Sequence, residues 1–353
     1  MIKRRLDAVT IFRFVAAFYV FVFHAYVRIP LNAPAFVKQA MYNGAIGMSF
    51  FFVLSGFILT YNYDKCVGKD YYKKRILRIY PAYLFCGFLT IPFIFLNTTF
   101  GFDEVVKSFT VIILFITSTQ GWFHSTFGVW NFGGTWSISV EMFFYAIFPA
   151  LLGLANSDRL KMMALVSFIS VSAIIPVSLI FNNQVNHVVF YSNPIYRLPE
   201  FAMGIVAAKY MQKGMNVGIV VAFIAVLMLF FASTLSDHGW MQHNYIVTPA
   251  VCLILMYLSK INLSSLASKV LRPFLYLGEI SYSFYLMQLV VFMYLDEIKP
   301  SFIYKNGFAG WVMLFLLIVS MAHLSYILFE KGRFTFCCRI LSGFFRKNTS
   351  VSD

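Results

Sequence analysis

The sequence predicts an all-α, polytopic membrane protein of about ten transmembrane helices, with both termini in the cytoplasm. Hydrophobic residues make up 60% of the 353 residues and charged residues only 12%, a composition that excludes a soluble globular domain. Apolar stretches of about 20 residues, long enough to cross a bilayer as a helix, recur along the chain. The lysines and arginines gather in alternate loops, as is typical of cytoplasmic segments.

The predicted spans cover most of the chain, and two of them, 196–211 and 244–259, are shorter or more polar than the rest. We therefore expect a single membrane domain over residues 1–353, with a core at about 6–330 and a basic cytoplasmic tail at 331–353. In chain order, the ten spans lie at 7–28, 44–63, 77–97, 136–155, 162–182, 196–211, 216–234, 244–259, 274–296 and 309–329.

Residues 109–118 are the ambiguous stretch. Their mostly apolar side chains fit either a very short span or a re-entrant or interfacial piece. Making this stretch a span would invert every later loop and place the basic loops outside. We therefore expect residues 98–135 to form one long excursion on the outer side.

The net charge of +14 could indicate binding to nucleic acid, but the distribution of the lysines and arginines along the chain indicates membrane orientation instead. With the N-terminus inside, twenty lysines and arginines fall in cytoplasmic segments and five in outer loops. The expected partner of the chain is the lipid bilayer, and no nucleic acid is expected.

Arg13 and His24 interrupt the first apolar stretch. Eleven residues place them about 20° apart around a helix and about 16 Å apart along it, so they share one face at two depths. Ionisable residues inside a bilayer are costly and indicate a functional path. His24 alone fits a structural hydrogen bond equally well, and Arg13 on the same face favours function.

Arg75 and Arg78 lie at the entry to the third span. At positions i and i+3 they share a helix face and can present two planar guanidinium groups to phosphate oxygens. Retention of positive charge on the cytoplasmic side, or contact with anionic lipid, explains the same residues. The pair by itself favours these simpler explanations.

Glu141 lies about one turn inside the outer end of the fourth predicted span, near the depth expected for His24. A carboxylate there could orient the imidazole, or it could pair with Arg197. Arg197 and Glu200, at i and i+3, are expected to form a buried structural pair of their own. The sequence leaves the role of Glu141 open between these possibilities.

Four motifs occur in a fixed order along the chain. They are Arg-x10-His from Arg13, Phe-Phe-Phe-Val-Leu-Ser-Gly-Phe from Phe50, Arg-x-x-Arg-Ile-Tyr-Pro from Arg75, and Thr-Trp-Ser-Ile-Ser-Val-Glu from Thr135. A fifth segment, Leu-Gly-Glu-Ile-Ser-Tyr-Ser-Phe-Tyr-Leu, follows at 277–286. Together the motifs are similar to those of the acyltransferase 3 family of bacterial inner-membrane enzymes. The fifth segment resembles the penultimate span of that family, so the likeness covers about residues 6–330.

The resemblance implies a multi-pass enzyme of the bacterial inner membrane that moves an acyl group, usually acetyl from acetyl-CoA. The expected acceptor is a hydroxyl of a cell-surface polysaccharide, such as lipopolysaccharide, or of its lipid-linked precursor. Acetyl-CoA is then a substrate, and no permanently bound cofactor and no metal are expected. The matching positions are Arg13, Arg75, Arg78, Ser55 and Gly56 for binding of acyl-CoA, and His24 and Glu141 for catalysis.

In this interpretation, His24 is either the general base for the acceptor hydroxyl or a transient acyl carrier, and Glu141 orients its ring. A different class also fits the intramembrane charges, namely a transporter or flippase for a lipid-linked sugar. Against it, the sequence shows no corresponding broken helices and no inverted halves. Labelled acetyl-CoA separates the two, because only an enzyme leaves label in the glycan.

Overall fold

The computed structural model describes residues 5–95, 102–173, 187–235 and 243–331, and every regular element in these ranges is helical. The predicted all-α class is thereby confirmed, whereas the tail beyond Lys331 lies outside the described residues. The helices are α1 (Asp7–Arg28), α2 (Ala35–Tyr42), α3 (Ile46–Asn62), α4 (Tyr71–Thr90), α5 (Pro92–Phe95), α6 (Phe102–Ile116), α7 (Phe132–Asn156), α8 (Leu160–Ser172), α9 (His187–Ser192), α10 (Pro194–Gln212), α11 (Ile219–Thr234), α12 (Asn244–Leu258), α13 (Ser265–Val270), α14 (Arg272–Glu279), α15 (Ser281–Ile298), α16 (Ser301–Lys305) and α17 (Phe308–Ser325), which a π-helical turn (Tyr326–Lys331) continues.

Several of these helices are suited to a membrane. Among the described residues, α1, α7 and α17 with its π-helical turn are long and apolar enough to cross a bilayer, and two bent helix pairs raise the number to five. The helices α8, α11 and α12 are apolar but shorter. The chain is therefore a helical membrane protein, and the predicted count of about ten spans is not confirmed.

The two bent pairs are not evident in the sequence. Helices α2 and α3 meet at 45°, and α14 and α15 meet at 65° where the sequence predicts one continuous span over 274–296. A glycine lies beside each bend, at Gly44 and Gly278. A Cβ at Gly44 would lie 2.4 Å from the Tyr19 carbonyl oxygen, and one at Gly278 would lie 2.0 Å from that of Thr10. Both bends are thus fitted against the backbone of α1, which only glycine permits.

Helices α3 and α10 cross at a similarly close contact. A Cβ at Gly56 would lie 2.0 Å from the Phe201 carbonyl oxygen, and one at Gly204 would lie 2.0 Å from that of Val53. Small residues that face each other in this way let two helix backbones touch. This crossing fixes one wall of the central cavity described below.

The excursion expected at 98–135 contains helix α6. The ring of Phe115 stacks on Tyr83 of α4 at 4.1 Å, and the Tyr83 hydroxyl donates to the Phe115 carbonyl at 2.8 Å. The apolar part of α6, Val105–Ile116, is too short for a helix that crosses a bilayer. The ambiguous stretch 109–118 is therefore a short helix and a turn that pack on α4.

The loops at 63–70, 157–159 and 213–218 lie at one end of the bundle, which we call the basic end. The Asn156 side chain donates to the carbonyls of Asp64 and Lys65 at 3.1 Å, and Lys209 Nζ donates to the Asp64 carbonyl at 2.6 Å. Helix α1 begins at this end, where Arg5 pairs with Asp7 and with Glu279. The predicted topology places this end in the cytoplasm.

Candidate active site

A cavity of about 390 Å³ lies between α1, α3, α4, α7 and the start of α15. It reaches the exposed residues Arg5 and Asn62, so it extends to the basic end of the bundle. Five of the seven residues expected to form the site line it: Arg13, Ser55, Arg75, Arg78 and Glu141. These residues come from four different helices, and the fold brings them to one place.

Arg13, Arg75 and Arg78, together with the exposed Arg5, give the cavity an excess of positive charge. Arg75 and Arg78 share one face of α4 because they lie three residues apart, and Arg13 reaches the same space from α1. Arg75 Nε is buried and has no hydrogen-bond partner among the described residues. A cavity with several guanidinium groups at a bundle end can bind phosphate oxygens through charge-assisted hydrogen bonds.

Glu141 supplies a negative charge to the same cavity. The hydroxyl of Tyr145, one turn later on α7, donates to its carboxylate. The guanidinium carbon of Arg75 lies 5.7 Å from the centre of the Tyr145 ring. Tyr145 therefore connects the carboxylate to one of the arginines, and it is a site residue that the motifs did not indicate.

The neighbouring residues Ser55 and Gly56 have different surroundings. Ser55 lines the cavity, whereas Gly56 faces α10 and makes the close helix crossing described above. Within the described part of the chain, Gly56 is not among the cavity-lining residues. Its place in the structure is explained by packing, and its expected contact with acyl-CoA stays a prediction.

Tyr285 and Ser137 limit the cavity on the side away from the basic end. Their hydroxyl oxygens are 3.0 Å apart, and the Tyr285 hydroxyl donates to the Gly134 carbonyl at 2.6 Å. Both residues line the cavity and are buried. This pair joins α7 to α15 beyond the three arginines.

His24 lies beyond this limit and does not line the cavity described here. Its ring centre is 5.1 Å from that of Phe23 and 5.7 Å from that of Phe292. Arg28, one turn later, donates to the His24 carbonyl at 3.2 Å and pairs with Asp296 at 2.7 Å. His24 thus lies near the opposite end of α1, next to α15.

The expected contact between Glu141 and His24 is not found among the described residues, where the hydrogen bond of Glu141 is made by Tyr145. The reason is the length of α7. The helix begins at Phe132 rather than at 136, so Glu141 lies about 13 Å from the helix start instead of about 7 Å. At that depth the carboxylate reaches the arginines of the cavity.

The predicted pair between Arg197 and Glu200 is confirmed. Arg197 Nη2 lies 3.1 Å from the Glu200 carboxylate, and both side chains are almost fully buried. Asn244 donates to the same carboxylate at 2.8 Å, and Arg197 donates to Ser49 at 3.1 Å. The guanidinium also lies 4.9 Å from the centre of the Phe52 ring. This cluster joins α3, α10 and α12; Phe52 also lines the cavity, whereas Arg197 and Glu200 do not.

Three comparisons relate the chain to known proteins. The model of a family described as an acyltransferase domain matches residues 6–330. An uncharacterized protein of Haemophilus influenzae is 27% identical over 235 residues, which cover 59% of this chain and 93% of that protein. No solved structure matches.

The O-acetyltransferase OatA of Staphylococcus aureus is 26% identical over 330 residues, or 83% of this chain. The matched region is 53% of OatA, so the chain spans about half the length of that relative.

Proposed function

We propose that this chain, which belongs to the acyltransferase family whose model covers residues 6–330, is a membrane O-acetyltransferase of the bacterial inner membrane. Its donor is acetyl-CoA, and its acceptor is a hydroxyl of a cell-surface polysaccharide or of the lipid-linked precursor. The observation that carries the proposal is the cavity in which Arg13, Arg75 and Arg78 meet at the basic end.

The cavity suits the phosphate groups of the donor. Three guanidinium groups can share the oxygens of a pyrophosphate, and each charge-assisted hydrogen bond is about twice as strong as a neutral one. The cavity extends to the basic end, which the predicted topology places in the cytoplasm, where acetyl-CoA is made. The nucleotide can then remain at this end while the thioester enters the bundle.

His24 is the proposed base at the far end of the donor. The helical rise from Arg13 to His24 is about 16 Å, which is comparable with the reach of an extended pantetheine arm. His24 accepts the proton of the acceptor hydroxyl as its oxygen attacks the thioester carbon. The carbon–sulfur bond breaks, and the CoA thiolate takes up the proton that His24 had accepted, so it leaves as the free thiol and the base is regenerated.

A membrane preparation with labelled acetyl-CoA and isolated glycans tests the proposal. We expect label in the glycan with the wild-type protein and none with His24→Ala, while the variant inserts normally and still binds CoA. Arg78→Ala should instead weaken binding of CoA. Transfer of label at the wild-type rate by His24→Ala would refute the assignment of the base. Label that is held by the wild-type protein before transfer, and is absent from His24→Ala, would identify His24 as an acyl carrier.

A transporter is the second candidate function. It is favoured by the bend between α14 and α15, because broken helices line the binding sites of many transporters. The same membrane preparation distinguishes the two functions. Uptake or flipping of a lipid-linked sugar without incorporation of label would favour the transporter. Mass and proton spectra of the surface polysaccharide, with and without the gene, then identify the acylated sugar.

A further inference from the structure

The start of α15 lies inside the cavity. The 65° bend after α14 exposes a helix start there, and Ser281 and Tyr282 of its first turn line the cavity together with Arg13 and Arg78. The first amide N–H groups of a helix have no carbonyl partner within it, and they favour negatively charged ligands. The bend thus adds backbone donors to the arginine cluster.

Ser281 provides an independent indication of a ligand. Its side chain lines the cavity and is 1% exposed, and its Oγ has no hydrogen-bond partner among the described residues. Ser283, in the same turn, is fully engaged with Ser325 and Glu330. A buried hydroxyl without a partner is costly. The contrast between the two serines indicates that Ser281 binds something absent from the protein alone.

Gln288 is a second unpartnered group on the same helix face. It lies seven residues after Ser281, which places it only about 20° away around the helix. Its side chain is fully buried, and neither Nε2 nor Oε1 has a partner within the described ranges. A carboxamide can donate and accept at once, so it complements a secondary amide, which also carries one donor and one acceptor.

The register of α1 and α15 places these two groups on the way to His24. The two helices run in the same direction. Gly278, just before the bend into α15, packs on Thr10 near the start of α1. Phe292, towards the end of α15, lies beside His24 near the end of α1. Along α15, Gln288 is about 10 Å and Phe292 about 16 Å beyond Ser281. Gln288 therefore lies between the depth of the arginines and the depth of His24.

We infer that the acyl donor lies along this face of α15, with a phosphate oxygen bound by Ser281 at the helix start and an amide of its pantetheine arm bound by Gln288. The inference rests on the proposed function and names two residues that the family motifs do not assign to the donor. The order of groups along CoA, phosphate first, then amides, then the thioester, is the order of Ser281, Gln288 and His24 along the two helices.

Entry of the arm past the arginines requires the contact between Tyr285 and Ser137 to open, because this pair limits the cavity before Gln288. Tyr285 lies on the same helix face, one turn from each of the two unpartnered groups. Its movement would join the cavity to the space beside Gln288. The hydroxyl contacts that it loses can be replaced by contacts with the arm.

Competition binding with the full-length protein tests the inference, with CoA, ADP and pantetheine as the ligands. ADP carries phosphates without the arm, and pantetheine carries the arm without phosphates. Ser281→Asp places a negative charge where the phosphate oxygen would lie, although a carboxylate at a helix start favours the helix itself. We expect it to weaken binding of CoA and ADP at least tenfold and to leave binding of pantetheine unchanged.

Gln288→Leu should give the complementary result. It removes an unpartnered buried carboxamide at nearly constant volume, so the thermal midpoint should stay the same or rise. We expect it to weaken binding of CoA and pantetheine about tenfold and to leave binding of ADP unchanged. Ser281→Ala and Gln288→Met serve as second variants if either first choice misfolds. Ser283→Ala is the matched control, since this serine is engaged elsewhere, and it should bind all three ligands as the wild type does.

Wild-type affinity for CoA in both Ser281→Asp and Gln288→Leu would overturn the inference, and so would an equal loss of all three ligands in either variant. These outcomes differ from a failure of the proposed function. If the wild-type protein binds CoA with this pattern of variants but transfers no acetyl group, the function is wrong and the donor site stands. If transfer occurs while both variants bind CoA normally, only the inference is wrong.

Discussion

Removal of the Glu200 carboxylate should destabilise the protein far more than removal of both members of its ion pair. Arg197 and Glu200 are 1% and 0% exposed, with 3.1 Å between their charged groups. Glu200→Leu leaves the guanidinium buried without this carboxylate, a change that costs about 3–5 kcal/mol for buried pairs. It also removes the acceptor of the 2.8 Å hydrogen bond from Asn244.

The double variant Arg197→Met with Glu200→Leu should recover most of this loss. Replacement of a buried pair by apolar residues of similar volume is often close to neutral. The guanidinium also lies 4.9 Å from the centre of the Phe52 ring, and loss of this contact costs about 0.5–2 kcal/mol. We therefore expect the double variant to be less stable than the wild type by about 2 kcal/mol or less.

Thermal unfolding of the detergent-purified wild type, both single variants and the double variant measures this cycle. The order of midpoints should be wild type, then the double variant, then the single variants. Binding of CoA to the double variant checks that the cavity is intact, since the pair lies outside it. The reasoning is refuted if Glu200→Leu alone is as stable as the double variant, because the buried guanidinium would then carry no penalty.

Three further predictions concern the cavity and its walls. Arg78→Met should weaken binding of CoA about tenfold or more, as expected for loss of a charge-assisted contact to phosphate. An unchanged equilibrium affinity for CoA would contradict the assignment of the arginines as the phosphate-binding site. Tyr145→Phe should retain affinity for CoA and Tyr145→Leu should lose it, because only the leucine variant lacks a ring beside the guanidinium of Arg75. Equal affinities of the two variants for CoA would show that this ring contact has no effect. Gly204→Ala should abolish accumulation of folded protein, because its Cβ would lie 2.0 Å from the Val53 carbonyl oxygen, whereas Gly218→Ala should be tolerated, because nothing lies within 4 Å of its Cβ. Fluorescence-detected size exclusion measures the yields, and similar yields of the two variants would contradict the close helix crossing.

Much of the helical architecture could be predicted because apolar length and charge distribution act locally along the chain. Helix α1 occupies the predicted span 7–28, and the pair at Arg197 and Glu200 follows from its spacing of three residues. Part of the cavity lining could be predicted, since residues of all four motifs line the cavity. For the ion pair, and for the shared face of Arg75 and Arg78, sequence separation within one helix decides which side chains are neighbours.

The remaining features depend on contacts between helices, which spacing within a helix does not determine. Glu141 lies deeper than expected because α7 extends to Phe132. Gly56 faces a helix rather than the cavity because Gly204 lies opposite it. The bend at Ile280 is set by the fit of Gly278 against α1, so the apolar pattern continues through it unbroken. For the same reason Ser281 could not be recognised as a cavity residue.

The contact between Tyr285 and Ser137 has a consequence for the electrical integrity of the membrane. The cavity is lined by arginines and reaches the basic end of the bundle, so an open passage from it to His24 would let protons and ions leak between compartments. In the donor-free protein the contact of Tyr285 with Ser137 limits the cavity, and the ring of Phe21 packs against those of Phe284 and Phe292 on α15. A bound pantetheine arm would fill the same narrow space as it displaces the tyrosine. The bilayer would thus remain insulated both when the enzyme is empty and when it is loaded.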